Sequence, residues 1–306
     1  MKLTHLRDIA AVAERGSLRG AARQLGITQP AISRSIREVE HDLGVALFER
    51  RAKGVILTPM GEAFLRRALV VQNELRRARE EIEQMKGQTA GHVTIALSTI
   101  AHIALLPKAL DQFRAQYPDV FLRISEEQFM DVEGGLKDGT FDFYVGPLSE
   151  TSLAMEFTVE KLFDNTRLVF CRKGHALAGA KSLRDLTSAR WITTSITFRS
   201  QAELGPLFEQ YGLPAPRVEM QAHSALTMII AAASSDLLVM LPKQWRDFPA
   251  THALLDAIEI EEKPAAAPIC IVRRAQMPLT PAAEYMCDML RRAGQQHLSP
   301  DTRAKI

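Results

Sequence analysis

Cysteine is scarce, with three in 306 residues, and aromatic residues make up 6%. Cys171, Cys270 and Cys287 show no C-x-x-C or other zinc spacing, which argues against a disulfide scaffold or a zinc module. Two of them sit in apolar strand-like runs and Cys287 in an amphipathic pattern, so buried inert thiols are expected, with no redox pair evident. No apolar run is long enough to cross a bilayer, and no N-terminal signal pattern appears, so no membrane partner and a cytoplasmic location are expected. Catalytic signatures are missing as well. There is no GxSxG, HExxH, P-loop or GxGxxG, and the eight histidines follow no ligand spacing. The expectation is a chain with no catalytic residues, no metal and no cofactor, hence not an enzyme.

What is present begins with charge placement. Apolar content is 46%, charged content 24% and net charge +2, ordinary for a globular chain of two or three domains. Residues 1–58 carry ten Lys and Arg against six Asp and Glu, while the remainder carries 28 against 30. A basic head on a near-neutral body fits local nucleic-acid contact.

The head has a helix-turn-helix pattern between Ser17 and Gly44. Ala22 is small enough for two helices to cross, Gly26 suits a left-handed turn, and Ile32 points into the shared corner. Thr28 reads as an N-cap, with Pro30 in the first turn of the second helix. That helix has an apolar stripe, Ile32, Ile36, Val39 and Leu43, facing the core. Its other face carries Gln29, Ser33, Arg34 and Arg37. Gln can pair with adenine and Arg with guanine or a phosphate, so Gln29, Ser33 and Arg34 are the candidate base readers. Leu47–Thr58 reads as a hairpin wing with Arg50, Arg51 and Lys53 at a basic tip beside Gly54. Such a tip reaches phosphate or the minor groove, with Arg37, Arg50 and Lys53 as phosphate holders. A solvated polar corner and loop is the plainer alternative.

A long helix is expected from Pro59 to Lys86, about 42 Å at 1.5 Å per residue. Phe64, Ala68, Val71, Leu75, Ala78, Ile82 and Met85 recur at spacings of four and three, a heptad seam flanked by Arg and Glu. Pairing of two copies is the expectation, and packing on the chain's own C-terminal region is the alternative. The residues from 88 on alternate strands and helices, which implies parallel αβ units. Expected strands are His92–Leu97, Val120–Ser125, Phe141–Val145, Thr166–Cys171, Trp191–Thr194, Arg217–Gln221, Leu237–Leu241 and Ile269–Arg273. Expected helices include Leu105–Tyr117, Asp131–Asp138, Gln201–Gln210, Ser224–Ala233 and Pro281–Ala293. The expected division is 1–58 for the head, 59–87 for the linker helix and 88–306 for the body. The body splits into one lobe of 91–164 with 267–306 and another of 165–266.

In such lobes, ligands lie at the C-terminal ends of strands. Ser98, Thr99 and His102 follow the first strand, Gln128 the second, and Gly146 and Pro147 the third. Thr194, Ser195, Thr197 and Phe198 follow the strand at Trp191, and His223 and Ser224 open another helix. Hydroxyls and free backbone donors at these places suit an anion such as a carboxylate or sulfonate, with Phe198 a possible aromatic wall. Helix capping is the plainer role for each hydroxyl.

Over Ser17–Phe64 (SLRGAARQLGITQPAISRSIREVEHDLGVALFERRAKGVILTPMGEAF) and Lys173–Gly179 (KGHALAG), the chain resembles the LysR-type transcriptional regulators. The resemblance spans nearly the whole sequence and is most specific over residues 1–65. It implies a winged helix-turn-helix joined to a two-lobe domain like a type 2 periplasmic binding protein. It implies double-stranded DNA at a palindromic promoter site, a small-molecule effector, a second copy of the chain and RNA polymerase as partners. It assigns effector contacts to Ser98, Thr99, Gln128, Gly146, Pro147, Thr194–Thr197 and Ser224. One departure stands out: where the family has a Gly-rich turn, this chain has Ala232–Leu238, AASSDLL.

Overall fold

The computed structural model describes residues 1–51, 54–148, 155–193, 204–222 and 224–296. The head packs α1 (Leu3–Arg15), α2 (Leu18–Leu25) and α3 (Gln29–Leu43) around a small core. Ser17 caps α2 by accepting the Gly20 amide at 3.0 Å, and Thr28 caps α3 by accepting the Ala31 amide at 3.4 Å. Gly26 ends α2 at φ 65°, a conformation open to glycine without a Cβ clash. Ala22 and Ile32 are buried in the corner between the helices. Of the expected stripe, Ile32, Ile36 and Val39 are buried, but Leu43 is 42% exposed. It lies in the last turn of α3, beside the exposed residues 44–46 and past the end of the packed corner.

The wing pairs β1 (Phe48–Arg51) with β2 (Gly54–Leu57), with Phe48 opposite Leu57. Thr58 then joins wing to rod. Its hydroxyl donates to the Ala46 carbonyl at 2.7 Å and accepts the Gly61 amide at 3.0 Å. A Cβ on Gly61 would lie 2.0 Å from the Leu47 carbonyl oxygen, so the first turn of the next helix can seat on the wing only with glycine there.

That helix, α4 (Pro59–Met85), is about 40 Å long. It stops one residue short of the expected Lys86, which adopts φ −78°, ψ 2° before Gly87.

The body is a pair of sheets sharing a long strand. In lobe I, β3 (Gly91–Leu97), β4 (Val120–Glu126) and β5 (Phe143–Pro147) run parallel in the order β4-β3-β5. Helices α5 (Thr99–Ala104), α6 (Leu106–Gln116) and α7 (Phe129–Lys137) connect them, and α11 (Pro281–Gln295) packs against α6. The expected helix at Leu105 begins instead at Leu106, because Pro107 occupies its first turn and α5 forms a separate short helix before it. The third strand starts two residues later than expected. Asp142 is held just before it, its amide donating to the Thr94 carbonyl and its carboxylate accepting the Thr94 amide, both at 2.7 Å.

In lobe II, β7 (Arg190–Thr193), β8 (Arg217–Gln221) and β9 (Leu237–Pro242) are parallel in the order β9-β7-β8. Helices α8 (Gly205–Gln210), α9 (Ala225–Ala233) and α10 (Pro249–Leu254) flank them. The connecting strand β6 (Phe157–Arg172) pairs first with β11 (Ala265–Arg274) and then with β9 and β10 (Leu255–Ile258), all antiparallel. Only the second half of β6 is apparent in the sequence. Its first half mixes Glu160, Lys161, Asp164 and Asn165 with the apolar positions, a pattern that reads as loop. The residues of β10 and α10 likewise carry no expected element. Each lobe keeps its own core, with Phe113, Phe143, Met286 and Leu290 in the first and Trp191, Phe208 and Leu238 in the second.

The Ala232–Leu238 turn works without glycine. The Ser235 hydroxyl donates to the Ala231 carbonyl at 2.6 Å and accepts the Leu237 amide at 3.2 Å. Ser234 keeps an ordinary φ of −102°. Side-chain bonds replace the conformational freedom that glycine otherwise supplies.

Candidate nucleic-acid interface and ligand cleft

Gln29, Ser33, Arg34 and Arg37 follow a helical spacing that puts them on one face of α3. They line a single groove together with Pro30 and with Arg50 of the wing. Gln29, Pro30, Arg34, Arg37 and Arg50 are exposed and Ser33 is half-buried. Thr28 is exposed too, but its hydroxyl is engaged as the helix cap and it does not line the groove. Arg51 lies outside the groove and pairs with Glu49 at 2.7 Å. Lys53 lies outside the described residues. The groove is not uniformly basic, for Glu38 and Asp42 line it too.

A second cavity, of about 160 Å³, opens between the lobes. Lobe I contributes Ser98, Thr99, Ile100, Glu126, Glu127, Gln128, Asp131 and Pro147. Lobe II contributes Ala225, Met228 and residues 240–242, and the shared strand β6 contributes Asn165 and Arg167. Ser98 and Asn165 are each only 6% exposed, and their Oγ and Oδ1 atoms have no hydrogen-bond partner among the described residues. Thr99 donates its hydroxyl to Glu126 at 2.7 Å.

Four of the residues expected at a ligand, Ser98, Thr99, Gln128 and Pro147, thus share one cavity. Three others do not line it. His102 faces an adjoining apolar hollow with Ile103, Leu226 and Ile230, its Nδ1 3.1 Å from the Ser98 carbonyl. Gly146 is packed tight, because a Cβ there would lie 2.0 Å from the Tyr144 hydroxyl. Its role is to admit that buried phenol, whose pKa burial pushes up. Ser224 is exposed at the start of α9, and the next residue, Ala225, reaches the cavity instead. Thr194, Ser195, Thr197, Phe198 and His223 lie outside the described residues.

The linker helix shows two faces. Phe64 packs on the head core and Ala68 is buried. Val71, Leu75, Ala78, Ile82 and Met85 are exposed, Met85 to 76%. A polar stripe offset by two residues, ~200° around the helix, docks on lobe I. Asn73 donates to the Asp138 carbonyl at 3.0 Å, Arg77 pairs with Asp142 at 2.9 Å, and Gln84 accepts the Ala282 amide at 3.0 Å. The chain therefore packs on its own body, but through the face opposite the seam.

Comparison with known proteins fits this anatomy. Residues 3–62 match the family described as "Bacterial regulatory helix-turn-helix protein, lysR family", and residues 86–295 match "LysR substrate binding domain". The chain belongs to the LysR family of transcriptional regulators. The SDS degradation transcriptional activation protein of a Pseudomonas species is 28% identical over 293 residues, covering 93% of this chain and 94% of that one. The regulator TdcA of Escherichia coli is 26% identical over 241 residues, 79% of this chain and 77% of that one. The solved structure of full-length CbnR with its target DNA superposes with a TM-score of 0.71 at 21% identity, covering 96% of this chain and all of that one, and it supports the shared fold. These relatives are regulators, and the chain is a LysR-type DNA-binding regulator with a substrate-binding domain. No helix among the described residues is long and apolar enough to cross a membrane.

Residue-level reading of the sequence missed the cleft's charged members, Glu126, Glu127, Asp131 and Arg167, and its orphan amide Asn165. Glu126 closes β4, Glu127 follows it and Asp131 lies in the first turn of α7, a strand-end position that does signal a ligand. Asn165 lies in the half of the shared strand that has no strand-like alternation to reveal it, and Arg167 lies inside an expected strand rather than at its end.

Proposed function

We propose that this protein grips a palindromic promoter site as a dimer and changes that grip when a small molecule fills the cleft between its lobes. The exposed seam Val71–Met85 of α4 supports the dimer. Each large apolar side chain covered there contributes about 1.5–3 kcal/mol. Gln29, Ser33 and Arg34 read base edges, while Arg37, Arg50 and Lys53 hold phosphates. Two heads on one paired rod suit two half-sites. Ser98, Thr99, Gln128 and Pro147 contact the effector, which carries a carboxylate directed to Arg167 and an apolar or ring-shaped body. The protein acts in the cytoplasm, where its DNA and RNA polymerase are.

The single observation that carries this reading is the convergence of Gln29, Ser33, Arg34, Arg37 and Arg50 on one groove beside a wing. An architectural protein that only bends DNA has no use for a cleft with unsatisfied polar atoms at its base. The test is a nuclease footprint on the promoter flanking the protein's own gene, with organic acids and amino acids added singly. A two-part protected site whose affinity or length changes with one additive supports the reading. A footprint with no paired half-sites, or one that no additive moves, contradicts it.

A further inference from the structure

The side chains around the cleft do not suit a simple anion. Among the described residues, Glu126, Glu127 and Asp131 line it and Arg167 is the one cationic side chain that does. A lone carboxylate entering there meets three like charges for one opposite charge. The two buried orphans add a second, independent demand. Asn165 Oδ1 is an acceptor without a donor, and Ser98 Oγ can donate or accept. A buried acceptor in a ligand cavity calls for an N–H or O–H from the ligand.

We propose that the effector is a small zwitterion carrying both an ammonium and a carboxylate, an amino acid or a close relative. The inference rests on the cleft being the effector site. The ammonium faces Glu127 and Asp131 and donates to Asn165. The carboxylate lies toward Arg167, whose guanidinium is built to meet it. Ile100, Met228 and Leu241 form the apolar wall for the side chain. At about 160 Å³ the cavity is close to the ~150 Å³ that accepts one benzene. That size is on the scale of one compact amino acid.

The test uses the full chain and three matched sets of compounds. They are L-alanine, propanoate and ethylamine; L-leucine, 4-methylpentanoate and 3-methylbutylamine; and L-phenylalanine, 3-phenylpropanoate and 2-phenylethylamine. Calorimetric titration measures Kd for each. In at least one set the amino acid binds, and its two truncated analogues bind at least about tenfold more weakly, the loss expected for one charge-assisted hydrogen bond. Glu127→Gln and Asp131→Asn weaken the amino acid while leaving the deaminated acid unchanged or tighter. A deaminated acid that binds as tightly as its amino acid overturns the proposal in favour of a plain anion. An amine that binds as tightly overturns it in favour of a cation, and silence across all nine compounds overturns it outright. Operator binding measured on the same preparation separates this failure from failure of the regulatory reading, since selective operator binding survives a wrong effector class.

Discussion

Arg77 of the linker helix and Asp142 of lobe I meet at 2.9 Å, with their side chains only 5% and 3% exposed. Arg77 also donates to the carbonyls of Gly139 and Phe141 at 3.0 and 3.1 Å, and Asp142 accepts the Thr94 amide. Thr94 belongs to β3, the strand that ends just before Ser98 in the cleft. One short chain of polar contacts therefore joins the rod to the strand leading to the cleft. Burial holds the Asp142 carboxyl above its usual range, against the pull of Arg77 and the Thr94 amide, and holds Arg77 below its own. Such a pair fixes geometry more than it adds stability.

Removing one partner is the informative change. Arg77→Ala strands a buried carboxylate and is expected to cost about 3–5 kcal/mol in urea unfolding. The double change Arg77→Met with Asp142→Leu should recover most of that loss. A single variant within ~0.5 kcal/mol of the parent, the size of an ordinary surface substitution, places the pair in water.

Arg34 is exposed on the polar face of α3 and lines the groove with Gln29. Arg34→Ala should weaken operator binding by about 1–3 kcal/mol and relax preference at one base pair. Competition against single-base operator variants measures this. Equal weakening on every sequence makes Arg34 a phosphate contact instead.

Leu75 is 38% exposed in the chain, at the middle of the open seam. Leu75→Glu should leave the fold intact and halve the mass of the assembly in light scattering, because it sets a charge in each seam. An unchanged mass contradicts pairing through α4.

All three cysteines are buried, and burial pushes the Cys171 thiol up to about 11 and the Cys287 thiol up to about 12. At neutral pH the reactive thiolate is therefore scarce at both. Native protein should take up a thiol reagent slowly, and all three sites should react once it is unfolded. Rapid stoichiometric labelling of one native cysteine indicates a redox-responsive site.

Much of the head was legible because its signals are local. Gly26, Thr28 and Pro30 act on the backbone within a turn of themselves, and the structure places each at the helix end where its chemistry belongs. The parallel strands were legible as apolar runs. The start of β6 was not, because its partner β11 lies about a hundred residues away in the chain and polar Glu160, Lys161, Asp164 and Asn165 interrupt its apolar positions. Gly61 and Gly146 were equally silent. Their need comes from the Leu47 carbonyl and the Tyr144 hydroxyl, distances no local pattern encodes. The docking face of α4 is polar, so a search for apolar periodicity finds the seam and passes over Asn73, Arg77 and Gln84.

The most direct measurement is fluorescence anisotropy of the full chain on a palindromic promoter duplex and on a scrambled duplex of equal length, over a range of salt. Selective binding should persist at moderate ionic strength at two chains per palindrome, with the scrambled duplex at least about a thousandfold weaker. Equal affinity for both duplexes, falling together as salt rises, contradicts a sequence-reading head.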